Sequence, residues 1–396
     1  MKKGTYIIVF LFLAVLVNAQ KPQVWVMNAD RLVSIKNNYR KGDAVSKSYI
    51  DSLVKQANKS LSMKPVSVMD KTITPVSGNK HDYMSQAPYF WYDSSKPNGL
   101  PYIRRDGERN PEIYKITDRT YLGRLEEATR ILALSWYFTG DEKYAAKATE
   151  LLKHWFLDAG TKMNPHLEYG QGIPGINTGR GIGIIETRAL VTIADAAELL
   201  NGSSAWKQTE HDALKQWYKE YLNWLMQSKY GKDEHAAKNN HGTWFFAQAI
   251  DFALFTGNKS LAKQLAEESR QRLDSQVSSN GEQPLELDRT NALGYSTMNL
   301  QGWFDVAGLA EKAGVDLWTY KTSKGAGIRQ ALDWLLPYAI GEKQWNYQQI
   351  NSYNKKDIYA LLLQGAYRFN DNLYKEKAAK LDNGINDVMV DILYKQ

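Results

Sequence analysis

The stretch Tyr137-Phe138-Thr139-Gly140-Asp141, followed by Lys143, Ala145 and Ala146, has a counterpart in Leu254-Phe255-Thr256-Gly257-Asn258, which Leu261 and Ala262 follow. A third variant, Arg368-Phe369-Asn370-Asp371-Asn372, precedes another alanine-rich segment. In each, an apolar run stops at Gly or Asn and a second run begins, which is typical of one helix ending and another starting. These helical hairpins predict an all-α fold. Their irregular spacing favours a complete or incomplete α/α toroid over a short tandem repeat.

The spacing of apolar residues predicts helices along most of the chain. Leu122, Leu125, Ala128 and Leu132 recur at intervals of three and four and so mark one helix face. The same spacing holds for Tyr144, Ala148, Leu151 and Trp155. Further helices are predicted over residues 185–200, 205–229, 243–256, 259–277, 298–313, 326–339, 355–369 and 373–390. No long alternation of apolar and polar residues indicates a large sheet.

The first residues have the pattern of a secretion signal. Lys2 and Lys3 precede an apolar run of eleven residues, Ile7 to Val17, and Ala19 closes a small-residue cleavage site. Eleven residues fall short of the roughly 20 needed to span a bilayer, so no stable membrane insertion is expected. The sequence therefore predicts a signal peptide over residues 1–19 and a single toroid domain over residues 20–396. The protein is expected to be periplasmic or secreted.

Composition narrows the classes of ligand. The chain has no cysteine, which excludes disulfides, thiolate metal sites and a lipid-anchor cysteine at the cleavage point. Loss of Lys2 and Lys3 lowers the formal charge from +7 to +5, which suits a polyanionic substrate. An exported chain without a lysine-rich tract is a poor nucleic-acid binder. The six histidines form no His-Glu-x-x-His pattern, so no metal site is expected. The sequence also gives no reason to expect a cofactor or an obligate protein partner.

Two segments interrupt the helical pattern. Residues 76–111 are rich in proline, and residues 164–183 contain six glycines. Long irregular segments inside a compact domain are usually functional loops or disorder. Both segments carry aromatic residues and arginines, which disfavour disorder. We therefore expect both to be functional loops.

Two short motifs carry groups suited to one reaction. Lys238-Asn239-Asn240-His241-Gly242-Thr243-Trp244-Phe245 supplies an amide and an imidazole, and Leu287 to Tyr295 supplies a guanidinium and a phenol. Removing the C5 proton of a 4-linked uronate requires neutralisation of its carboxylate, a base, and an acid for the departing O4. Asn240 could equally be a helix cap, and His241 a buried, hydrogen-bonded ring. A free phenol has a pKa near 10, so Tyr295 needs a nearby positive charge such as Arg289 to act as a base.

Two other functions fit the same residues. Glu282, Glu286 and Asp288 could supply the paired carboxylates of a glycoside hydrolase built on the same toroid. The chain could also be a non-catalytic glycan-binding protein. The products discriminate, because a lyase creates a C4–C5 double bond that absorbs ultraviolet light and a hydrolase does not.

Beyond these motifs, three N-terminal segments resemble the alginate lyase superfamily, in particular polysaccharide lyase families thirty-eight and five. They are Ser77-Gly78-Asn79-Lys80-His81-Asp82-Tyr83-Met84-Ser85, Pro88-Tyr89-Phe90-Trp91, and Asn98 to Gly107. The likeness extends over roughly residues 60 to 340. It implies an α/α toroid and β-elimination, with carboxylate neutralisation by Asn240, assistance from His241 and Arg289, and proton transfer by Tyr295. One departure is that Thr290 replaces the glycine of family five, and Arg289 lies six rather than seven residues before the tyrosine.

The resemblance also implies roles for the two loops. Residues 76–111 would form a lid that touches an acidic polysaccharide, and residues 164–183 would line the cleft. The residues expected to bind substrate are Tyr83, Tyr89, Trp91, Arg104, Arg105, Gln171, Asn177, Arg180, Arg188, Asn239 and Trp244. Mannuronate and glucuronate need syn elimination, which one tyrosine can perform as base and then acid. Guluronate needs anti elimination, for which His241 would be the base and Tyr295 the acid. The motifs do not choose between alginate and glucuronan.

Overall fold

The computed structural model of the protein describes residues 21–382, 385 and 387–395. The predicted signal peptide, residues 1–19, lies outside the described residues. Within them the chain forms fifteen α-helices: α1 (Ala29–Arg40), α2 (Ala44–Ser60), α3 (Asp118–Thr139), α4 (Glu142–Phe156), α5 (Leu190–Leu199), α6 (Gln208–Gln227), α7 (Lys229–His235), α8 (Asn240–Phe255), α9 (Lys259–Gln276), α10 (Pro284–Leu287), α11 (Ala292–Lys312), α12 (Ile328–Ala339), α13 (Lys355–Phe369), α14 (Asn372–Asp382) and α15 (Val388–Tyr394).

Four short strands form two small sheets in the described part of the chain. Strands β1 (Met84–Gln86) and β4 (Tyr169–Gly172) pair in parallel, and β2 (Phe90–Trp91) and β3 (Ile103–Arg104) form an antiparallel hairpin. Three 3-10 helices cover Val68–Asp70, Pro111–Lys115 and Gly181–Ala189. The sheets lie in the two segments that the sequence marks as irregular. No described helix is long and apolar enough to cross a membrane.

The helices form a ring, which confirms the predicted α/α toroid. Helices α2, α3, α5, α8, α11, α13 and α15 contact one another in that order, and α15 returns to contact α2. A second helix packs outside several of these: α4 on α3, α9 on α8, α12 on α11, and α14 on α13. Each such pair is consecutive in sequence, so the ring is built of antiparallel helical hairpins.

The hairpin turns have the chemistry that the sequence motifs indicate. Gly140 ends α3 with φ 72°, and Asn370 ends α13 in the same left-handed region with φ 50°. Asp141 then caps α4, because its side chain accepts a hydrogen bond from the backbone N–H of Lys143. At the second motif, Asn258 caps α9 by accepting from the N–H of Leu261. At the first two motifs, a glycine with positive φ, Gly140 or Gly257, is thus followed by a capping side chain.

Several helices depart from the sequence prediction, which did not include α1, α2, α7 or α10. A single helix was expected over residues 373–390, but α14 ends at Asp382 and α15 begins only at Val388. Helix α11 begins at Ala292, earlier than the predicted residue 298. That difference places Tyr295 in the first turn of a helix rather than in a loop.

Helix α8 lies at the centre of the packing. It contacts α5, α6, α7, α9 and α11, and every residue of it except His241 is buried. A helix that is apolar all round belongs in a core, and the run from Trp244 to Phe255 is apolar except for Gln248 and Asp251. His241, the one residue of α8 that is not buried, lies at the N-terminus of the helix.

The opposite end of the ring buries carboxylates. Asp195 on α5 accepts hydrogen bonds from the backbone N–H groups of Trp25, Val26 and Met27, which ties the N-terminal segment to the ring. Asp251 on α8 is fully buried, and neither of its side-chain oxygens has a hydrogen-bond partner in the described residues. Burial raises the pKa of Asp251 well above its usual value and that of Asp305 to about 7. These acids are therefore protonated in part or whole near neutral pH.

A buried acid whose folded-state pKa is raised favours folding at low pH, and this contribution is lost as the pH rises. We expect Asp251→Asn to flatten the decline of the free energy of unfolding between about pH 4 and pH 7, by up to about 1.4 kcal/mol per pH unit. Urea unfolding at several pH values measures this slope. Asp158→Asn, at an exposed position, is the matched control and should leave it unchanged. An unaltered slope in Asp251→Asn would contradict this account.

Candidate active site

A cavity of about 400 Å³ opens where α8 and α11 begin. Loops and the β2–β3 hairpin supply the rest of its wall. It is lined by Pro88, Tyr89, Phe90, Arg104, Arg109, Arg119, Gln171, Arg180, Ile182, Ile185, Arg188, Ala237, Asn239, Asn240, His241, Arg289, Tyr295 and Met298. All four residues predicted to be catalytic therefore meet in one cavity, although two of them lie about fifty positions from the other two.

Asn240 is the first residue of α8 and is held by a buried carboxylate. Its backbone N–H and its side-chain Nδ2 donate to the two carboxylate oxygens of Glu286, each at 2.7 Å. Asn239 is the helix cap, since its side chain accepts from the N–H of His241. An amide nitrogen has two N–H groups, so Glu286 occupies only one of those on Asn240. The cap role thus belongs to Asn239, and the side chain of Asn240 remains a wall of the cavity.

His241 lies in the first turn of α8 beside a second buried carboxylate. Its Nδ1 is 2.7 Å from Oε1 of Glu234, whose side chain is 1% exposed. The imidazole itself is 15% exposed and lines the cavity. The ring therefore contacts protein through Nδ1.

Arg289 is fixed between the hairpin and Tyr295. Its Nε and Nη2 donate to Oδ2 and Oδ1 of Asp106 at 3.1 and 2.9 Å. Thr290 also donates its hydroxyl to Asp106. The guanidinium carbon of Arg289 lies 3.8 Å from the centre of the Tyr295 ring. The expected positive charge is thus beside the phenol, and a bidentate carboxylate holds it there.

The phenol of Tyr295 donates to the hydroxyl of Tyr89 at 2.8 Å. Burial and the neighbouring Tyr89 raise the pKa of Tyr295 above its usual value, although Arg289 acts in the opposite direction. Arg289 therefore supplies the positive charge that the sequence analysis expected, but burial and Tyr89 raise the pKa of the phenol more than Arg289 lowers it. In this state Tyr295 is a proton donor.

Arg180 and Arg188 give the cavity an excess of positive charge. Arg180 donates to the side-chain oxygen of Gln171 at 2.7 Å, and Arg188 lies over the ring of Trp244 at 5.5 Å. Within the described residues, neither guanidinium has a carboxylate within ion-pairing distance. Burial lowers the pKa of Arg180 to about 10, so it stays charged at neutral pH. A largely buried guanidinium without a carboxylate is a ready partner for an anion.

Gln171 occupies a strained position at the end of β4. Its φ is 52°, although it is not a glycine, and its side chain is buried. Its N–H donates to the hydroxyl of Ser85 on β1, which places its amide against Arg180. Strain of this kind is retained mainly where the surroundings impose it, often at ligand sites. Gln171 therefore orients Arg180, as well as lining the cavity.

Five of the predicted binding residues lie away from the cavity wall. Tyr83 is fully buried and donates to Glu186, so it cannot touch a polymer. Trp244 is buried beneath Arg188 and is not a sugar platform. Asn177 accepts the N–H of Ile173 within its own loop. The other two, Trp91 and Arg105, stack on each other on the outer side of the hairpin. The aromatic residues and arginines of the loops correctly indicated which segments lie at the cavity. They did not indicate which of those side chains point into it.

The sequence analysis missed some residues that line the cavity and the supporting role of others that hold its side chains. Arg109 and Arg119 line the cavity, and Glu234 and Asp106 hold candidate catalytic groups. Glu286, which the sequence suggested only as a hydrolase carboxylate, also holds one of them. Of the candidate hydrolase carboxylates, Glu286 is buried against Asn240, while Asp288 is exposed. Glu286 thus supports the amide rather than facing a glycosidic bond.

The ring of helical hairpins with a cationic cavity at one end defines an α/α toroid with a candidate site for an anionic ligand. The chain belongs to the alginate lyase family, whose model matches residues 67–345. It is 39% identical to an alginate lyase from Bacteroides ovatus of known crystal structure, with 94% of this chain and 99% of that chain covered and a TM-score of 0.89. The protein is therefore a polysaccharide lyase, and the hydrolase and non-catalytic alternatives are set aside.

More distant structures share the fold. A variant of alginate lyase A1-III in complex with a tetrasaccharide matches with a TM-score of 0.55 at 15% identity, over 88% of this chain and 94% of that chain. Alginate lyase A1-III from Sphingomonas species A1 matches with a TM-score of 0.50 at 15% identity, over 82% and 87% of the two chains. No match was found among curated proteins.

Asp106 anchors the β2–β3 hairpin over the cavity. Arg289 and Arg104 hold the pKa of its carboxyl well below the usual range, so this anchor persists at neutral and mildly acidic pH and is lost only as the pH falls further. We expect Asp106→Asn to speed backbone hydrogen exchange in residues 88–110 by about tenfold or more, because charge-assisted hydrogen bonds are removed. Asp93→Asn, in the same loop but bonded only locally to Ser95, is the control. Equal exchange rates in the two variants would show that Asp106 is not the anchor.

Proposed function

We propose that the protein cleaves 4-linked uronic-acid polymers, alginate or glucuronan, by β-elimination and leaves 4,5-unsaturated uronate ends. One observation carries this proposal. A single cavity brings Asn240, His241 and Tyr295 together with Arg180 and Arg188, which have no carboxylate partner in the described residues. The first three can remove a proton beside a carboxylate. The two arginines supply the charge to hold a polyanion.

In this mechanism the second N–H of Asn240 hydrogen-bonds the carboxylate of the uronate. This hydrogen bond strengthens as negative charge grows on that carboxylate during loss of the C5 proton. The N-terminus of α8, where Asn240 is the first residue, adds a positive dipole end. Arg289 assists from beside Tyr295, since Asp106 occupies its Nε and Nη2.

Proton transfer falls to Tyr295. For mannuronate or glucuronate, which eliminate syn, Tyr295 takes the C5 proton and then delivers it to O4. The raised pKa of the phenol means that ionising it is costly in the free enzyme. A sugar that displaces the hydroxyl of Tyr89 removes one of the causes that raise the pKa of Tyr295. For guluronate, which eliminates anti, Tyr295 acts only as the acid.

The polymer has room to continue beyond the reacting sugar. A second cavity of about 710 Å³ is lined by Tyr89, Gly107, Glu108, Arg109, Ile350 and Asn351. Tyr89 and Arg109 line both cavities, so the two lie on either side of this shared wall. We propose that sugars on the two sides of the cleaved bond occupy the two cavities.

The test of the proposal is ultraviolet absorbance of the purified protein with polymannuronate, polyguluronate and glucuronan, side by side. A rise with at least one of them is expected, because each elimination creates a conjugated C4–C5 double bond. The pattern across the three identifies the substrate. No rise with any of them would contradict the uronan assignment.

Replacing Tyr295 by Phe should lower kcat by about a thousandfold or more, since the variant loses the group that protonates O4. The ring and its contact with Arg289 are kept, so the melting temperature should change little. Tyr114→Phe, at an exposed tyrosine outside the cavity, is the control and should keep the wild-type rate. Wild-type turnover by Tyr295→Phe would exclude the assigned proton transfer.

We also propose that the protein is exported to the periplasm or the medium, with residues 20–396 as one mature toroid domain. The proposal rests on Lys2, Lys3 and the apolar run from Ile7 to Val17. Mass spectrometry of the protein recovered outside the cytoplasm should give an N-terminus at Gln20. An uncleaved chain retained in the cytoplasm would contradict it.

A further inference from the structure

The carboxylate of Glu234 is placed to control the imidazole of His241. It comes from the last turn of α7, seven residues before the histidine, and is 1% exposed. Oε1 lies 2.7 Å from Nδ1, while Oε2 has no hydrogen-bond partner in the described residues. A buried carboxylate is costly unless it is hydrogen-bonded and its charge is compensated. The imidazole N–H is thus the main compensation that Glu234 has.

The position of Glu234 is rigid. Helix α7 packs directly on the 3-10 helix Gly181–Ala189, and a Cβ on Gly181 would lie 2.7 Å from the carbonyl oxygen of Tyr230 and 3.3 Å from the backbone nitrogen of Glu234. Gly231 is equally confined, since a Cβ there would lie 1.8 Å from the carbonyl oxygen of Leu225. The carboxylate therefore cannot follow the imidazole if the ring turns. Instead it fixes the ring.

We infer that Glu234 is a positioning residue that keeps the proton of His241 on Nδ1 and leaves Nε2 as an unprotonated base facing the cavity. Glu234 accepts the Nδ1–H and stabilises the imidazolium that forms when Nε2 takes a proton. The same arrangement of carboxylate, imidazole and reacting atom recurs in Ser-His-Asp sites on unrelated folds, where the histidine acts as a base. This inference rests on the proposed function and assigns the base for the uronate that eliminates anti.

The step balances as follows for guluronate. The C5–H bond breaks and its proton goes to Nε2 of His241. The C4–C5 double bond forms, the C4–O4 bond breaks, and O4 receives the phenol proton of Tyr295. The imidazolium then returns a proton to the phenolate, directly or through water. Nothing is oxidised or reduced. Polymannuronate does not use this route, because there Tyr295 is both base and acid.

Charged and titratable groups face this pair from the surrounding segments. They are Arg180 beside Glu234, Glu286 from α10 beside His241, and Arg289 and Tyr295 across the cavity. Arg180 moderates the charge of Glu234 from outside ion-pairing distance. Glu286 is engaged by Asn240. Glu234 remains the carboxylate that is hydrogen-bonded to the imidazole.

The chain offers a matched control for this pair. His235 and Glu268 form a second His–Glu contact at 2.7 Å, on the outer side of the same region and away from the cavity. Glu234→Gln and Glu268→Gln make the same chemical change in two settings. Only the first can present an amide N–H to Nδ1 of His241 and shift its proton to Nε2.

The kinetic test compares both variants on polyguluronate and polymannuronate. We expect Glu234→Gln to lower kcat on polyguluronate by about 100-fold or more and on polymannuronate by less than about tenfold, with KM little changed. Glu268→Gln should match the wild type on both. Glu234→Asp, which keeps the charge, should recover part of the polyguluronate rate. Equal losses on the two polymers, or a wild-type enzyme that cleaves polymannuronate but not polyguluronate, would overturn the inference.

A spectroscopic test does not depend on turnover. Nitrogen-15 spectra of histidine-labelled protein at about pH 8, assigned by difference with a His241 variant, report which ring nitrogen carries the proton. The wild type should show His241 protonated on Nδ1, and Glu234→Gln should move the proton to Nε2. A wild type with its proton on Nε2 would overturn the inference and leave the uronan proposal standing. No ultraviolet product on any uronan, with the expected tautomer present, would overturn the uronan proposal and with it the base role of His241, while the contact by which Glu234 holds the proton on Nδ1 would stand.

Discussion

Two buried carboxylates bind the first turn of α8, and the geometry of the cavity depends on them. A helix N-terminus leaves several N–H groups without intrahelical partners, and here Glu286 takes the first of these from Asn240. Glu234 is hydrogen-bonded to the imidazole of the next residue, His241. Burial raises the pKa of Glu286, and the two hydrogen bonds from Asn240, with Arg289 and His241 nearby, oppose that rise. Negative charge at a helix N-terminus is favourable, which offsets part of the cost of burying it.

The carboxylates around the cavity and two of its arginines have different roles. Asp106, Glu234 and Glu286 each contact a candidate catalytic residue directly. Arg180 and Arg188 lack carboxylate partners in the described residues and face the same cavity. These three carboxylates are thus engaged by the protein, and the two arginines are left for a ligand. The proposed preference for a polyanion rests on this asymmetry rather than on the modest net charge of the chain.

The helical hairpins were predictable because each turn carries its own signal. Gly140 and Asn370 adopt positive φ, and the next capping residue opens a helix, so the signal is local. Helix α1 was not predicted, since only Leu32 and Ile35 of its residues are buried and the apolar spacing is weak. The break between α14 and α15 was missed because alanine, lysine and leucine continue a helical pattern up to it.

The candidate catalytic residues could be selected from the sequence by residue type, whereas the residues that support them could not. Asn240, His241, Arg289 and Tyr295 stand in short motifs whose functional groups suit one reaction. Asp106 reaches Arg289 across 183 positions of sequence, and no spacing rule brings them together. Glu234 is only seven positions from His241, but a helix end and a turn lie between them. Tyr83 and Trp244 show the converse, since residue type suggested contact with sugar while the helices placed both in the core.

In the proposed syn route Tyr295 must act as a base, and in the proposed anti route it acts only as an acid. Different residues of the cavity support these two roles. As a base, the phenol must ionise against burial and Tyr89, and only Arg289, held by Asp106, favours this. A phenolate with a raised pKa is a stronger base once formed, so the cost of ionisation is partly returned in proton affinity. As an acid, the phenol already carries its proton in the free enzyme. Removal of the C5 proton then depends on His241 and Glu234. The two supports come from different segments of the chain, the β2–β3 hairpin and α7. A change in one can therefore alter the preference between uronates without disturbing the other.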